Sequence, residues 1–499
     1  MTAGPQTTHT VTTDRSFIWR RRDWVAVLAL VLATCLHVLP AFRRPVATLD
    51  EIIMLDYPDA VSRGLTPNAD FYTVYARLGY DFLGFWYRLF GYTSTSERMA
   101  GALYQVALVL GVWALTRRFG DRIAVASGVL AVVLLVNDLT AFAWLGALAL
   151  VVWSLVLVRA DSNRLAWVVA GVLAGLSVGF RYEMAVVAGL PLLPFLYRHR
   201  RAPFVVVGGL AGFLPTGLHL LAVGRDAWDN VSGRAGVNFQ LDPGAVPAHV
   251  YLGLVVGAAC LTLLVARALL RRTPEDWSWA LLCLCVVPQA VQRVDVYHFA
   301  FAAVVVYPLA FAAGTDFSRR TAGRRGGLAA RTIQVAFLSV PILFLLGWVV
   351  TASTNPETGA VSSGSRTIKI PADRAEATQH LLEDVRAIVP PGSAVFVGTD
   401  QMGRTSFNSF PIYYLLSEEY EFNSYYLELA AGVAERDDSG LAQDILAADA
   451  LILAEFDPEV GDRLFPFAPR GFTVNERTVR ENFEKVSTSG RLMLYVRRT

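Results

Sequence analysis

Uncharged apolar windows recur along the chain as far as Thr351, separated by arginine-rich or polar breaks. Their lengths approach the roughly 20 residues that an α-helix needs to cross a bilayer. About eleven begin near Trp24, Met99, Ile123, Leu139, Leu165, Met184, Phe204, Val250, Trp277, Val296 and Ile333. The first follows Arg20, Arg21 and Arg22 and runs on to Phe42 without a small-residue cleavage site, so it reads as a retained helix and not a signal peptide. The pattern predicts a polytopic α-helical membrane protein: a cytoplasmic segment 1–23, a transmembrane domain 24–351 and a long first outer loop 43–96.

Beyond Thr351 the pattern changes. A polar stretch rich in Asn, Pro, Gly and Ser marks a linker, 352–371, and residues 372–499 carry mixed signals. Ala372 to Val389 has helical periodicity, Ala394 to Gly398 and Ala450 to Ala454 are short strand-like runs, and Leu492 to Val496 would close a sheet. This predicts a small extracytoplasmic α/β domain.

Composition agrees with a membrane chain: 54% of the residues are hydrophobic and only 17% charged. The net charge of +2 leaves no basic surplus for a nucleic-acid backbone. Cys35, Cys260, Cys283 and Cys285 all lie in apolar segments, where cysteine serves as a small hydrophobe. All but Lys369 and Lys485 of the 44 basic residues are arginine. Arginines crowd the breaks at 117–118, 159–164, 198–201, 271–272 and 319–331, which the positive-inside rule places in the cytoplasm. The N-terminus is then inside and the C-terminal domain outside the plasma membrane.

Three charged groups fall on the outer side of that topology. Asp50 and Glu51 follow the first helix, where a carboxylate can be held rigidly at the water-lipid boundary as a general base requires. An acidic pair at a helix end also serves as a plain solvated cap. Arg181, Tyr182 and Glu183 separate two short helices, and Gln292 to His298 (QRVDVYH) joins two more. Arginine there suits a lipid phosphate, although Arg181 with Glu183 and Arg293 with Asp295 can equally tie helices together. Phe71 to Phe90 is an aromatic, amphipathic stretch suited to the membrane interface or to packing on the bundle.

At these residues the chain resembles the polytopic C-type glycosyltransferase superfamily, GT-C, in the branch of protein O-mannosyltransferases and lipid A aminoarabinose transferases. Asp50-Glu51 matches its acidic motif. Gly64 to Pro67, Asp70-Phe71-Tyr72, Tyr75 and Leu89-Phe90-Gly91 follow its first-loop pattern, and Arg98 its basic residue opening the next helix. Ala170 to Ala185 is similar to a segment that places Arg181 where the family has a lysine.

The resemblance implies a GT-C-type fold and an inverting transfer of a sugar from a polyprenyl-phosphate donor to a glycan, lipid or protein acceptor. Asp50 would be the base and Glu51 would orient the acceptor. Arg181, Arg293 and His298 would hold the departing phosphate, with Asp70, Tyr72, Tyr75, Glu183 and Asp295 as further substrate contacts. No cofactor is expected: there is no phosphate-binding glycine loop, and no ligand spacing calls for a metal, although loop acids can in principle bind a divalent ion. A lipid or polysaccharide transporter, or a non-catalytic subunit of an envelope-assembly complex, is the rival reading.

Overall fold

The computed structural model describes residues 21–46, 49–71, 73–135, 138–159, 163–197, 199–225, 248–292, 294–321, 342–346, 357–402, 411–422, 440–456 and 473–498. The membrane half contains α1 (Arg21–Val38), α2 (Leu49–Ser62), α3 (Arg77–Phe90), α4 (Ser94–Thr116), α5 (Asp121–Leu134), α6 (Ala143–Arg159), α7 (Arg164–Val178), α8 (Met184–Leu196) and α9 (Ala202–Val223). Helices Ala248–Arg271, Pro274–Gln292 and Val296–Thr321 follow.

Five described stretches are long and apolar enough to span a bilayer: Arg21–Arg43, Ser94–Phe119, Ala202–Val223, Ala248–Arg271 and Val296–Ser318. Ala143–Val158, Arg164–Val178 and Met184–Leu196 are shorter apolar helices. The window near Ile333 lies largely outside the described residues, so about eleven crossings remains a reading of the sequence.

Close packing of this half rests on glycine where helix backbones meet. On α7 and α9, a Cβ at Gly171, Gly175, Gly208 or Gly212 would come within 2.0–2.3 Å of a carbonyl oxygen of the other helix. Two glycines one turn apart on each helix allow this approach. Elsewhere, Arg267 is buried between Asp276 at 2.8 Å and Asp316 at 3.0 Å and donates to the Ala313 carbonyl at 2.9 Å, which joins the ends of three helices.

The long loop between α1 and α4, expected on the outer side, is built from α2 and α3. Helix α2 was hidden in the sequence because Pro58 stands in its interior and deprives the Met54 carbonyl of its donor. The Tyr87 hydroxyl of α3 donates to that carbonyl at 2.6 Å and repairs the loss. α3 buries Tyr80, Leu83 and Tyr87 and leaves Phe85, Leu89 and Phe90 at least half exposed, the two apolar faces of a helix lying between bundle and lipid.

In the C-terminal half, β1 (Thr358–Ser363) and β2 (Arg366–Pro371) form an antiparallel hairpin inside the segment expected to be a linker. Its polar composition concealed Val361, Ile368 and Ile370, which point into the core. Helix Ala372–Ile388 follows as expected. The strands β3 (Val395–Thr399), β4 (Ala450–Ala454), β5 (Phe483–Ser489) and β6 (Leu492–Arg497) make one sheet in the order β3-β4-β6-β5. β3 and β4 are parallel and β6 is antiparallel to both neighbours.

Candidate functional site

Asp50 and Glu51 open α2, and consecutive helical residues diverge by about 100°. One carboxylate therefore turns inward while the other does not. Glu51 is buried, and its Oε1 accepts from Arg98 Nε at 2.6 Å. Arg98 stands in the second turn of α4, whose start is fixed by the Thr93 side chain accepting from the Ser96 amide. Its Nη1 also donates to the carbonyls of Ala41, Phe42 and Arg44 at 3.1, 3.3 and 2.8 Å. The pair thus clamps the chain between α1 and α2. Glu51 does not sit beside Asp50 in position to orient an acceptor; its carboxylate is engaged in the core.

Asp50 is only half-buried, and its Oδ1 accepts from the Tyr75 hydroxyl at 2.5 Å. Burial and then the Asp50 charge push the Tyr75 phenol well above its ordinary pKa, so it stays protonated as a donor. The Arg181 guanidinium lies over the Tyr75 ring at 5.0 Å and 5.9 Å from the Trp144 ring. Its Nε and Nη2 meet Glu183 Oε1 at 2.7 and 2.5 Å. Burial opposes this charge, but the Glu183 and Asp50 carboxylates outweigh it and raise the guanidinium pKa above its ordinary value.

Arg181 arrives there because the turn after α7 docks on the first turn of α3. The Ala76 and Gly79 amides donate to the Phe180 and Gly179 carbonyls, both at 3.2 Å. Gly179 must be small, since a Cβ would lie 2.6 Å from Leu78 and 2.7 Å from Thr216. Tyr57, Phe71 and Tyr80 form an aromatic bed beneath Tyr75, with the Tyr80 hydroxyl 2.6 Å from Thr73 Oγ1.

A second wall contains two acids absent from the sequence reading. Glu97 is buried beside Arg98, and its Oε1 accepts from the Ala141 amide at 2.5 Å. Asp138 Oδ1 accepts from the amide and hydroxyl of Thr140 at 2.8 Å each, and Gln105 donates to the Asp138 carbonyl at 2.6 Å. Beside it, the Tyr297 ring packs against Phe142 with centroids 6.3 Å apart. The signal available for Asp138 was a lone carboxylate between two apolar runs.

Asp295 caps helix Val296–Thr321, accepting from the His298 amide at 2.8 Å, and both its oxygens lie 2.9 Å from His298 Nδ1. It therefore fixes the imidazole, which is a different task from the substrate contact expected of it. Asp70 is exposed and accepts from the Thr66 amide at 2.6 Å, closing a turn of the loop. Tyr72 and Arg293 lie outside the described residues. Asp50, Tyr75, Arg181 and Glu183 are thus in one contact group, and His298, with Asp295 on its imidazole, reaches the neighbouring wall through Phe301 and Phe142. Among the described residues no three His, Cys, Asp or Glu side chains converge as a metal site.

The tail completes the surroundings. The Val46 amide donates to the Lys369 carbonyl at 2.6 Å, Thr93 bridges to Thr367, and the Tyr414 hydroxyl donates to the Tyr92 carbonyl. Arg366 Nη2 reaches Asp59 Oδ1 of α2 at 2.9 Å, and the Ser417 hydroxyl donates to Asp59 Oδ2 at 3.2 Å. The C-terminal half therefore rests on the same loop that carries Asp50.

With this geometry in hand, residues 78–216 match the family model described as dolichyl-phosphate-mannose-protein mannosyltransferase. Among solved structures the chain is similar to ArnT from Cupriavidus metallidurans bound to undecaprenyl phosphate. The TM-score is 0.57 at 11% identity, over 95% of this chain and 98% of that one. The apo form of the same protein gives 0.57 at 12% identity over the same shares. The oligosaccharyltransferase of Archaeoglobus fulgidus, in complex with Zn and sulfate, gives 0.55 at 11% identity, over 95% of this chain and 73% of that one. No curated protein sequence matches the chain. The resemblance to GT-C glycosyltransferases is met by the family model over residues 78–216 and by the fold over most of the chain, while Asp50-Glu51 lies ahead of the family match.

Proposed function

We propose that this membrane protein of the GT-C glycosyltransferase fold moves a sugar, with inversion, from a polyprenyl-phosphate donor to a hydroxyl-bearing envelope acceptor on the outer face of the membrane. The observation that carries the reading is the array of Asp50, Tyr75 and Arg181: a half-buried carboxylate at the hydroxyl and a guanidinium over the ring of one tyrosine. Support for the carrier comes from the related fold of ArnT, solved with undecaprenyl phosphate bound.

In this reading the acceptor oxygen attacks the anomeric carbon and gives its proton to Asp50. The bond from that carbon to the phosphate oxygen breaks, and the electron pair leaves on the lipid phosphate beside Arg181. Glu183 is the more exposed member of its pair, so a phosphate can replace it on the guanidinium. In the same reading Arg293 and His298 also hold that phosphate. Glu51 acts at one remove, through Arg98, as a positioning residue for α2.

The test is transfer by purified protein in lipid, supplied with labelled polyprenyl-phosphate sugars and an envelope extract. Asp50→Asn is expected to bind donor and lose turnover by at least about a hundredfold, or ~3 kcal/mol of barrier. Tyr75→Phe, which only releases the carboxylate, should lose less. An Asp50→Asn protein that turns over normally defeats the base assignment.

A further inference from the structure

At the end of α1 and α4 far from Asp50, a cavity of about 420 Å³ opens between α1, α4 and α5. Arg117 follows Arg98 by 19 positions, which puts this cavity ~28 Å along the bundle from the proposed site. The two cannot share a ligand headgroup.

Five charged side chains line it: Arg22 and Asp23 of α1, Arg117 after α4, and Asp121 and Arg122 opening α5. Asp23 is buried and pairs with Arg117 at 2.8 Å, while the guanidinium packs over Trp113 at 5.0 Å. That arginine is therefore held in place. Arg22 and Asp121 meet at 3.0 Å with both side chains about half exposed, a pair that water makes nearly worthless and that a phosphate can replace. Arg122 is exposed and forms no ion pair among the described residues, leaving one positive charge in surplus.

The remaining wall is apolar and low. Ala26, Val125 and Ala126 leave a gap between α1 and α5. Deeper in, Leu30 closes it against Gly128, where a Cβ would lie 2.8 Å from the leucine. Beside the mouth, Trp24 at 61%, Val25 at 64% and Leu28 at 69% exposure form a surface for lipid, with tryptophan suited to the interface. The cavity is thus cationic at its rim and apolar for a short depth below, at the level of lipid headgroups.

We infer that this groove binds one anionic phospholipid of the leaflet opposite the Asp50 face. Arg22, Arg117 and Arg122 hold its phosphate, and Ala26, Val125 and Ala126 receive its glycerol and first methylenes. A zwitterionic lipid brings no net charge to offset the surplus, and inorganic phosphate brings nothing to cover the apolar wall.

Native mass spectrometry of the full chain in detergent, titrated with dioleoylphosphatidylglycerol or dioleoylphosphatidylcholine, tests this. The glycerol lipid should be retained about tenfold more tightly than the choline lipid. Arg122→Gln and Ala126→Leu, both at exposed positions, should each remove about that tenfold preference, the second by filling the groove without altering charge. Melting temperatures of the lipid-free variants establish that they fold. Equal retention of the two lipids, or wild-type selectivity in folded Ala126→Leu, overturns the inference. Thermal stabilisation by inorganic phosphate equal to that by the glycerol lipid overturns the choice of lipid over free anion.

Discussion

Asp50, Glu51, Asp56 and Asp59 all stand on one helix of fourteen residues, yet each meets a different environment. Asp50 meets Tyr75, Glu51 meets Arg98 and Asp59 meets Arg366, while Asp56 is fully buried with neither carboxylate oxygen hydrogen-bonded among the described residues. Burial first, and then the charge of Asp59, raise its pKa to about 7, against the opposing pull of Arg63 and Arg366. A raised carboxyl favours the folded state only while protonated. Its contribution is therefore full below about pH 4 and is lost as pH rises to about 7. Asp56→Asn keeps the shape without the charge. It is expected to raise the unfolding free energy at pH 8 by on the order of 2–4 kcal/mol, read as a higher melting temperature, and to flatten the stability profile between pH 4 and 7. An unchanged pH slope would sink this account. The dipeptide Asp50-Glu51 was visible in the sequence as a motif, but the division of labour within it was not. That division depends on Arg98, 47 positions away.

At the scale of elements, hydropathy located the five described helices long and apolar enough to span, because burial in lipid and apolar length are nearly the same property. It could not reveal α2, whose interior proline is tolerated only because Tyr87 of another helix supplies the missing donor. Nor could it tell which glycines are obligatory. Gly175 faces the backbone of α9, where a Cβ would lie 2.2 Å from the Gly209 oxygen, whereas a Cβ at Gly189 of α8 meets nothing within 4 Å. Gly175→Ala should therefore part α7 from α9 and destabilise by about 1–3 kcal/mol. Gly189→Ala should be neutral or stabilise by up to about 1 kcal/mol through helix propensity. Thermal unfolding in detergent compares the two, and equal effects would mean that the crossing of α7 and α9 yields easily. Because α9 carries Thr216 against Gly179, a parted crossing also loosens the turn that aims Arg181.

At the scale of the molecule, the small C-terminal sheet domain was legible as a change of composition, but the hairpin ahead of it was not. Alternation over six residues is a weak signal when polar residues fill the outward positions. That hairpin is what joins the halves, through Val46 on Lys369, Thr93 beside Thr367 and Arg366 on Asp59. Arg366 is buried, and its guanidinium also donates to the Tyr414 carbonyl at 3.1 Å and lies over the Tyr414 ring at 4.8 Å. Its removal leaves Asp59 and Asp56 together in a dry site with Arg63 to offset them among the described residues, and breaking a buried pair costs about 3–5 kcal/mol. Arg366→Ala is thus expected to release the tail from the loop before the membrane half unfolds. Limited proteolysis ahead of β1 should then separate the two halves at a protease concentration that leaves the wild-type chain whole. The double variant Arg366→Met with Asp59→Leu removes both charges of the pair, and it should recover much of the protection. If Arg366→Ala resists cleavage as well as wild type, the hairpin and Tyr414 hold the tail without the ion pair. The control of α2, and with it of Asp50, would then lie in the backbone contacts at Val46 and Thr93.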